Sequence, residues 1–265
     1  MEHAAVLTAY NTQVRQGTSP DGTGAVFETD ATVLRRLGQP GHYGSGIMWS
    51  DLDAGNADAV IAAQVELFAG RGEKFEWKLY SYDQPADLAE RLLAAGFVAE
   101  DAEALMVAEV WKVGQASRLA DLPAGIVLEQ VTDAEGVARL TEVHERVFGK
   151  DESELRALLL AQLSTAPEIT GMVLAMAGGE AVCAARIEFV PGADFAGLWG
   201  GGTLPAWRGR GIYRALVGYR AALAAERGYR YLQVDASPAS RPILERIGFT
   251  CLAMTTPYIW HPGSG

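Results

Sequence analysis

The sequence lacks the residue patterns of a metal centre. It has only two cysteines, Cys183 and Cys251, which lie in separate apolar runs without CxxC spacing. Its four histidines are scattered, and no HExxH pattern is present. Two isolated cysteines in apolar surroundings are typical of small core residues in a reducing compartment. We therefore expect no metal site and a cytoplasmic protein.

Long apolar runs and an excess of basic residues are also missing. No stretch approaches the roughly 18 apolar residues of a membrane span, and the first residues lack the basic patch and apolar run of a signal peptide. The formal net charge is −11, with 22 Lys and Arg against 33 Asp and Glu. Because nucleic-acid phosphates are bound by Lys and Arg, this balance disfavours nucleic acid as a partner. We expect neither a nucleic-acid nor a membrane partner.

The residues that are present predict a globular α/β protein with two related halves. The 265 residues, 49% of them hydrophobic, suffice for one large domain or two small ones. A strand, a short helix and Gly96-Phe97 occur in the first half, and the same order leads to Gly248-Phe249 in the second. This repetition indicates an internal duplication. We predict units at 1–113 and 124–265, joined by a turn-rich linker over 114–125.

The segment with the clearest chemical signal is 198–216, which has the pattern of a strand, a tight turn and a helix. Gly209 and Gly211 let the backbone approach a ligand closely, and the helix that follows presents unpaired N–H groups and its positive dipole end. Three arginines add charge, and together these groups predict a phosphate or pyrophosphate site: Arg208, Arg210 and Arg214. The turn is neither a Walker loop nor a dinucleotide fingerprint, because GxxxxGK[ST] and a third glycine are absent.

This turn resembles the signature of the GNAT superfamily of N-acetyltransferases. The matching residues run from Arg208 through Gly211 to Tyr213, after Pro205-Ala-Trp207, and a strand, a short helix and Gly248-Phe249 follow. The resemblance covers about 124–262 and implies a mixed α+β sheet, with two GNAT-like units in tandem and a degenerate or truncated first unit. It also implies acetyl-CoA as cosubstrate and a primary amine of a small molecule or peptide as acceptor, attacking directly in a ternary complex.

The resemblance implies a set of donor-binding residues and two departures from the family pattern. A bulged strand would splay from the next strand and open a slot for acetyl-CoA, and the consecutive glycines Gly200, Gly201 and Gly202 independently predict such a bulge. Backbone groups of the bulged strand would bind pantetheine, amides at the helix start would bind pyrophosphate, and a residue after the next strand would contact the cofactor. The set comprises Gly201, Gly202, Thr203, Arg208, Gly209, Arg210, Gly211, Ile212, Tyr213, Arg214 and Ser237. Tyr213 replaces the usual Gly or Ala, and Leu244 replaces the tyrosine that protonates the leaving thiolate.

Acetyl transfer requires a neutral amine, and a carboxylate is the usual base. Candidates near the slot are Glu188, Asp194 and Asp235, of which we select Glu188 and Asp235. Because Leu244 cannot donate a proton, the acid is Tyr258, Ser240 or solvent. Positioning of the two reactants alone contributes much of such a catalysis.

The first half lacks a comparable turn. At the spacing of the two Gly-Phe pairs, 56–61 corresponds to 208–213 and contains no glycine, and Asp53 and Asp58 would repel pyrophosphate. We expect this half to wall the acceptor cleft or to form the surface of a homodimer. Two other functions remain open: a non-catalytic acyl-CoA sensor or scaffold, and a module that binds a nucleotide through the same turn.

Overall fold

The computed structural model describes residues 2–19, 22–38, 44–117 and 122–263. The first half contains α1 (His3–Tyr10), β1 (Val26–Thr29), β2 (Val33–Leu37), β3 (Gly46–Ser50), α2 (Ala57–Arg71), β4 (Phe75–Tyr80), α3 (Leu88–Ala94), β5 (Val98–Ala99), β6 (Glu103–Glu109) and α4 (Val110–Ala116). The second half contains β7 (Ile126–Gln130), α5 (Ala134–Phe148), α6 (Ser153–Thr165), β8 (Thr170–Ala177), β9 (Glu180–Phe189), β10 (Phe195–Thr203), α7 (Ile212–Glu226), β11 (Tyr231–Ala236), α8 (Arg241–Arg246) and β12 (Thr250–Trp260).

All the strands join one mixed sheet. Its order is β1-β2-β3-β4-β12-β6-β11-β10-β9-β8-β7, and β5 adds to β12. The pairs β3·β4 and β10·β11 are parallel, and the other pairs are antiparallel. The predicted mixed α/β architecture is confirmed.

The two halves repeat one motif. In each, a 15-residue helix connects a parallel strand pair: α2 connects β3 to β4, and α7 connects β10 to β11. A short helix, α3 or α8, and a tight glycine turn then lead to the final strands. Both repeats place their helices on the same face of the sheet, where α7 packs on a core that includes Leu198 and Leu232. The predicted tandem arrangement is confirmed.

The final strands of the two halves are exchanged. Strand β6 of the first half lies between β11 and β12, forming six register pairs with β11 and five with β12. Strand β12 of the second half continues along β4 with six pairs. Each half therefore completes the sheet of the other, which the linear order of the repeats does not predict. The boundaries of the two units, 1–113 and 124–265, stay a prediction.

Two local predictions need correction. The start of the predicted linker over 114–125 is helical: α4 continues from β6 and docks on α7, where a Cβ on Gly218 would lie 2.0 Å from the Ser117 carbonyl oxygen. Residues 118–121 of that linker lie outside the described residues.

Helix α5 is capped by Asp133, whose carboxylate accepts from the Gly136 N–H at 2.8 Å. A carboxylate at this position satisfies an amide that has no intrahelical acceptor. The spacing of Thr132 and Glu135 in the sequence instead predicts a capping box that begins at the Thr132 hydroxyl. No helix in the described parts of the chain has the length and apolarity to cross a bilayer.

The exchange predicts that the halves unfold together. Leu105 is fully buried in β6, opposite Asp235 of β11 and Ala253 of β12. We expect Leu105→Ala to lower the free energy of unfolding by about 2–5 kcal/mol and to shift a single transition. Denaturant unfolding followed by tryptophan fluorescence and by circular dichroism measures this. Val127→Ala on the exposed side of β7 is the control, with an expected change within about 0.5 kcal/mol. If the protein unfolds in two separate transitions and Leu105→Ala shifts only one of them, the exchanged strands do not couple the two halves.

Candidate functional site

A slot opens between β10 and β11. The two strands pair over only three residues, from Phe195↔Tyr231 to Gly197↔Gln233, although β10 continues to Thr203 and β11 to Ala236. Beyond Gly197, β10 remains paired to β9 on its other edge. The edge of β10 that faces β11 therefore leaves backbone groups available to a ligand. This is the splay that the resemblance implies.

A bulge in β10 lies at the mouth of this slot. The register with β9 shifts between Trp199 and Gly202, and Gly200 has φ +56°. A Cβ on Gly200 would lie 2.4 Å from His144 Cε1, and one on Gly201 would lie 2.7 Å from Tyr213 Cε2. The consecutive glycines are thus required because α5 and α7 press on the bulge from opposite faces. The glycine run predicted the bulge correctly.

The contact at Gly201 accounts for the departure at Tyr213. A tyrosine at this position is bulky, but its ring lies over the missing side chain of Gly201. Burial raises the pKa of the Tyr213 hydroxyl, with Arg220 opposing that effect. The absence of a side chain at Gly201 leaves room for the Tyr213 ring against the backbone of β10.

The predicted anion turn lies directly beyond the end of β10. Gly211 caps α7 with φ +83°, and Gly209 has φ +74°, a conformation that favours glycine. A Cβ on either glycine would meet open space, so no protein atom occupies the region above them. The first intrahelical bond joins the Ala215 N–H to the Gly211 carbonyl, so the N–H groups of Ile212 and Tyr213 at the start of the helix have no intrahelical acceptor. The turn presents these groups and the positive helix end to solvent.

The arginines of the turn are exposed, and two of them are held by backbone oxygens. Arg208 Nε donates to the Thr203 carbonyl at 3.0 Å. Arg210 donates to the Ala206 carbonyl at 3.2 Å, and its guanidinium lies 4.6 Å from the centre of the Trp207 ring. Arg214 lies on the first turn of α7, also exposed. The structure thus brings the predicted donor residues together along one path, from 201–203 through 208–214.

Ser237 and Leu244 follow β11 on the far side of the slot. Ser237 is exposed directly after the strand, and its Oγ lies 3.2 Å from Ser240 Oγ at the start of α8. Because β10 and β11 are parallel, Ser237 and the end of β10 lie at the same edge of the sheet. Leu244 is fully buried in the core under α8. It packs the helix and contributes no polar group.

The structure separates the three selected catalytic candidates. Glu188 and Asp235 lie on the face of the sheet that carries α1, α5 and α6; Glu188 is the register partner of Gly197, where the slot begins. Arg186 Nε lies 3.4 Å from the Glu188 carboxylate. Asp235 lies in the splayed part of β11, and Lys78 Nζ is 2.5 Å from its Oδ2. Tyr258 lies on the opposite face, buried beneath α2 and α3 with Trp77, and is not brought to the slot.

Asp194 has a structural environment. Its backbone N–H donates to the Gln13 side chain at 2.8 Å, and its carboxylate accepts from the Gln13 amide at 3.2 Å. Its carbonyl accepts from the amides of Arg230 and Tyr231. Asp194 therefore attaches the N-terminal helical segment to the start of β11. Among the described residues, no three His, Cys, Asp or Glu side chains gather as a metal site requires.

Sequence reasoning missed two buried groups beside the bulge. His144 is almost fully buried, and burial together with Arg186 lowers its pKa to about 4. Arg220 is also buried; it donates through Nε to the Leu216 carbonyl and through Nη1 to the Arg186 carbonyl, while Nη2 has no partner. Only the helical position of Arg220 on the apolar face of α7 signals it in the sequence, and nothing distinguishes His144 from the other histidines.

The matching turn of the first half is already occupied by its own carboxylate. Strands β3 and β4 pair at Gly46↔Glu76 and Ile47↔Trp77 and then separate, so this half has a slot too. Asp53 accepts from the N–H groups of Gly55 and Asn56 at 2.7 and 3.0 Å before α2. An internal anion thus binds amides that the second half leaves open.

This geometry also corrects the alignment of the two turns. Helices α2 and α7 begin 155 residues apart, whereas the Gly-Phe pairs are 152 apart. The equivalent of 208–213 is therefore 53–58 rather than 56–61, and it does contain a glycine, Gly55. The reason is the connection after the second parallel strand, which has seven residues in the first half, 81–87, and four in the second, 237–240.

A family model matches most of the C-terminal half. Residues 137–249 match the model of the Acetyltransferase (GNAT) family. The C-terminal half carries a GNAT-family domain. The matched segment contains β10, the turn and α7, so the slot described above lies within the GNAT domain. No match to a curated protein was found.

Solved structures extend the similarity to the whole chain. A GCN5-related N-acetyltransferase from Kribbella flavida matches with a TM-score of 0.70 and 17% identity, covering 99% of this chain and 96% of its own. A GCN5-related N-acetyltransferase from Sphaerobacter thermophilus gives a TM-score of 0.61 and 16% identity over 98% and 92%. A tandem GNAT protein from the clavulanic acid biosynthesis pathway gives 0.61 and 14% over 87% and 78%. At these identities the matches show the fold.

The burial of His144 beside the GNAT slot predicts a pH-dependent stability. Its pKa is about 4 in the folded chain against an ordinary value of 6.5, so between these values the unfolded chain binds a proton that the folded chain does not. Stability should fall as the pH drops through this window, by about 2 kcal/mol at pH 5 relative to neutral pH. We expect His144→Gln to remove that part of the pH dependence, measured by urea unfolding at pH 7 and pH 5. Identical losses in the two proteins would contradict it.

Proposed function

We propose that the protein transfers an acetyl group from acetyl-CoA to a primary amine. The observation that carries this proposal is the slot between β10 and β11, which opens onto the glycine turn at the N-terminus of α7. Pantetheine is an extended chain of amides, and an unpaired strand edge can hydrogen-bond it as another strand would. Pyrophosphate suits a helix N-terminus with nearby arginines.

The donor would bind along the predicted set of residues. Backbone groups of Gly201, Gly202 and Thr203 would bind the pantetheine arm, and Ser237 would contact the cofactor from the other side of the slot. The pyrophosphate would bind the amides from Gly209 through Arg214, with charge from the arginines. Acetyl-CoA would then place its thioester near Gly197 and Gln233, where the strands begin to separate.

The reaction needs few groups beyond this placement. The neutral amine attacks the thioester carbonyl carbon, so a C–N bond forms, the C–S bond breaks and CoA thiolate leaves. A backbone N–H of the bulge would stabilise the developing oxyanion. Glu188 is the base that we propose, since it is the cross-strand neighbour of Gly197 and one third of its side chain is exposed. Because Leu244 is buried and apolar, solvent would protonate the thiolate.

Asp235 is the weaker candidate for the base. It makes an ion pair with Lys78 at 2.5 Å, and its side chain is only 5% exposed, whereas one third of the Glu188 side chain is exposed. One oxygen of the Asp235 carboxylate is therefore already occupied by an ammonium. Tyr258 has no role in the proposal, because its ring lies on the other face of the sheet in the core beneath α2.

The second candidate function is an acyl-CoA sensor or scaffold without turnover. The observation that favours it is Leu244, fully buried where the family pattern has a proton donor. Such a protein would bind acetyl-CoA through the same residues but release no CoA with any amine. Thiol release from acetyl-CoA in the presence of an amine panel separates the two functions.

Donor binding is tested by Gly211→Glu. The new carboxylate would lie above the turn and repel pyrophosphate, so we expect the affinity for acetyl-CoA and CoA to fall at least tenfold, or about 1.4 kcal/mol. Calorimetry and the ligand-induced rise in melting temperature measure it. The matched control is Gly72→Glu, because Gly72 also has positive φ at a helix end and open space above it, but lies in the first half.

Both substitutions should destabilise the folded chain by about 1 kcal/mol through backbone strain. Only Gly211→Glu should impair binding. Equal CoA affinity in both variants, or stabilisation by ATP rather than by either CoA species, would remove the donor-site proposal.

The base is tested by Glu188→Gln. We expect kcat to fall about a hundredfold or more, while the dissociation constant of acetyl-CoA stays unchanged. Glu180→Gln is the control, since Glu180 lies at the other end of β9 in an exposed ion pair with Arg146. Stopped assays of acetylated amine give kcat. A Glu188→Gln enzyme as active as the Glu180→Gln enzyme would exclude Glu188 as the base.

A further inference from the structure

A charged cluster lies beside the slot, where the two halves meet. Lys78 of β4 extends across β12 and β6 to Asp235 of β11, with Nζ 2.5 Å from Asp235 Oδ2 and 3.8 Å from Glu103 Oε2. Lys78 belongs to the first half and Asp235 to the second. The cluster exists only because the exchanged strands bring these four strands side by side.

The cluster has more negative than positive charge. Glu76 projects from β4 on the same face as Lys78, two residues away, so three carboxylates lie on the same face as one ammonium, and two of them are within 4 Å of it. Burial raises the pKa values of Glu76 and Glu103; Lys78 opposes this, and the neighbouring carboxylates add to it. Burial alone would lower the pKa of Lys78, but Asp235 and Glu76 outweigh it and raise that pKa. A second cation would relieve the mutual repulsion of the carboxylates.

Buried oxygens in the cluster have no hydrogen-bond partner. They include Asp235 Oδ1, on a side chain only 5% exposed, and Thr255 Oγ1, on a residue 1% exposed. Thr255 is the cross-strand neighbour of Glu103 on one side and of Tyr80 on the other, so it lies between β4 and β6 on the face that carries the cluster. Leaving such a buried group unpaired is unfavourable. A carboxylate oxygen and a hydroxyl are acceptors for an ammonium, which has three donors.

The cluster is close to the point of acyl transfer. Gln233 marks the last pair of β10 and β11, and its side-chain Oε1 is also buried without a partner. Asp235 is two residues further along on the same face, about 7 Å by the rise of a strand. This distance matches a chain of several carbon atoms between a reacting amine and a second charged group.

We propose that the cluster of Asp235, Glu103, Glu76 and Thr255 binds a second cationic group of the acceptor, which makes the acceptor an alkyl diamine or polyamine. This inference rests on the proposed function, since it assigns the substrate class of the same slot. The second ammonium is bound by Asp235 Oδ1 and Thr255 Oγ1, while Lys78 stays on Asp235 Oδ2. The first half thereby supplies Glu76 and Glu103 to the acceptor site and selects acceptors with a second cationic group.

Binding of diamines tests the inference apart from turnover. Calorimetric titrations of the CoA complex would use 1,3-diaminopropane, 1,4-diaminobutane and 1,5-diaminopentane against monoamines of equal length, at constant ionic strength. We expect the best diamine to bind at least tenfold more tightly than its monoamine. Asp235→Asn and Glu103→Gln should each reduce this ratio severalfold. Glu109→Gln, on the same strand but paired with Lys112, should retain it.

The outcomes separate this inference from the proposed function. Equal affinity of diamines and monoamines for the wild type would overturn it, as would full selectivity in both Asp235→Asn and Glu103→Gln. Retained CoA binding shows that a variant is folded. If Asp235→Asn loses CoA binding, Glu103→Gln tests the inference instead, because the Glu103 side chain is 31% exposed and its substitution disturbs the core less. Diamine selectivity without acetyl transfer would refute the acetyltransferase proposal alone, whereas transfer to monoamines without diamine selectivity would refute this inference alone.

Discussion

The pairing of β6 with β11 is the constraint on which the rest of the structure depends. A slot between β10 and β11 deprives β11 of hydrogen bonds along half of its length, so another strand must hold it in place. Strand β6 does so over all six residues, Tyr231–Ala236. The slot can remain open because the opposite edge of β11 is fully paired with a strand from the other half. The same exchange places Lys78 within reach of Asp235.

One scaffold carries two different turns. Both halves have a parallel strand pair that separates and a 15-residue helix that begins at the opening. In the second half, two glycines of positive φ leave the amides exposed. In the first half, the Asp53 carboxylate accepts from them. This difference accounts for an anion site in one half, while the other half retains the fold and supplies strands and charged side chains.

Much of the fold and of the donor site follows from local sequence. Three consecutive glycines in an apolar strand predicted the bulge, and Gly209 and Gly211 before an amphipathic helix predicted the anion turn. Strand exchange was not predictable, because β6 and β12 are both apolar enough to pair with any neighbouring edge. The misaligned first turn arose from a difference in loop length of three residues. Lys78 could not be assigned a role, since its partner lies 157 residues away in the chain.

The central claim is that acetyl-CoA binds one turn of the two. Hydrogen exchange of the backbone amides with and without CoA tests it most directly. The account predicts protection of the amides in 201–203 and 209–214, with unchanged exchange in 53–58, where the Asp53 carboxylate already binds the amides of Gly55 and Asn56. Protection in 53–58, or none in 209–214, would contradict the assignment of the donor site to the C-terminal half.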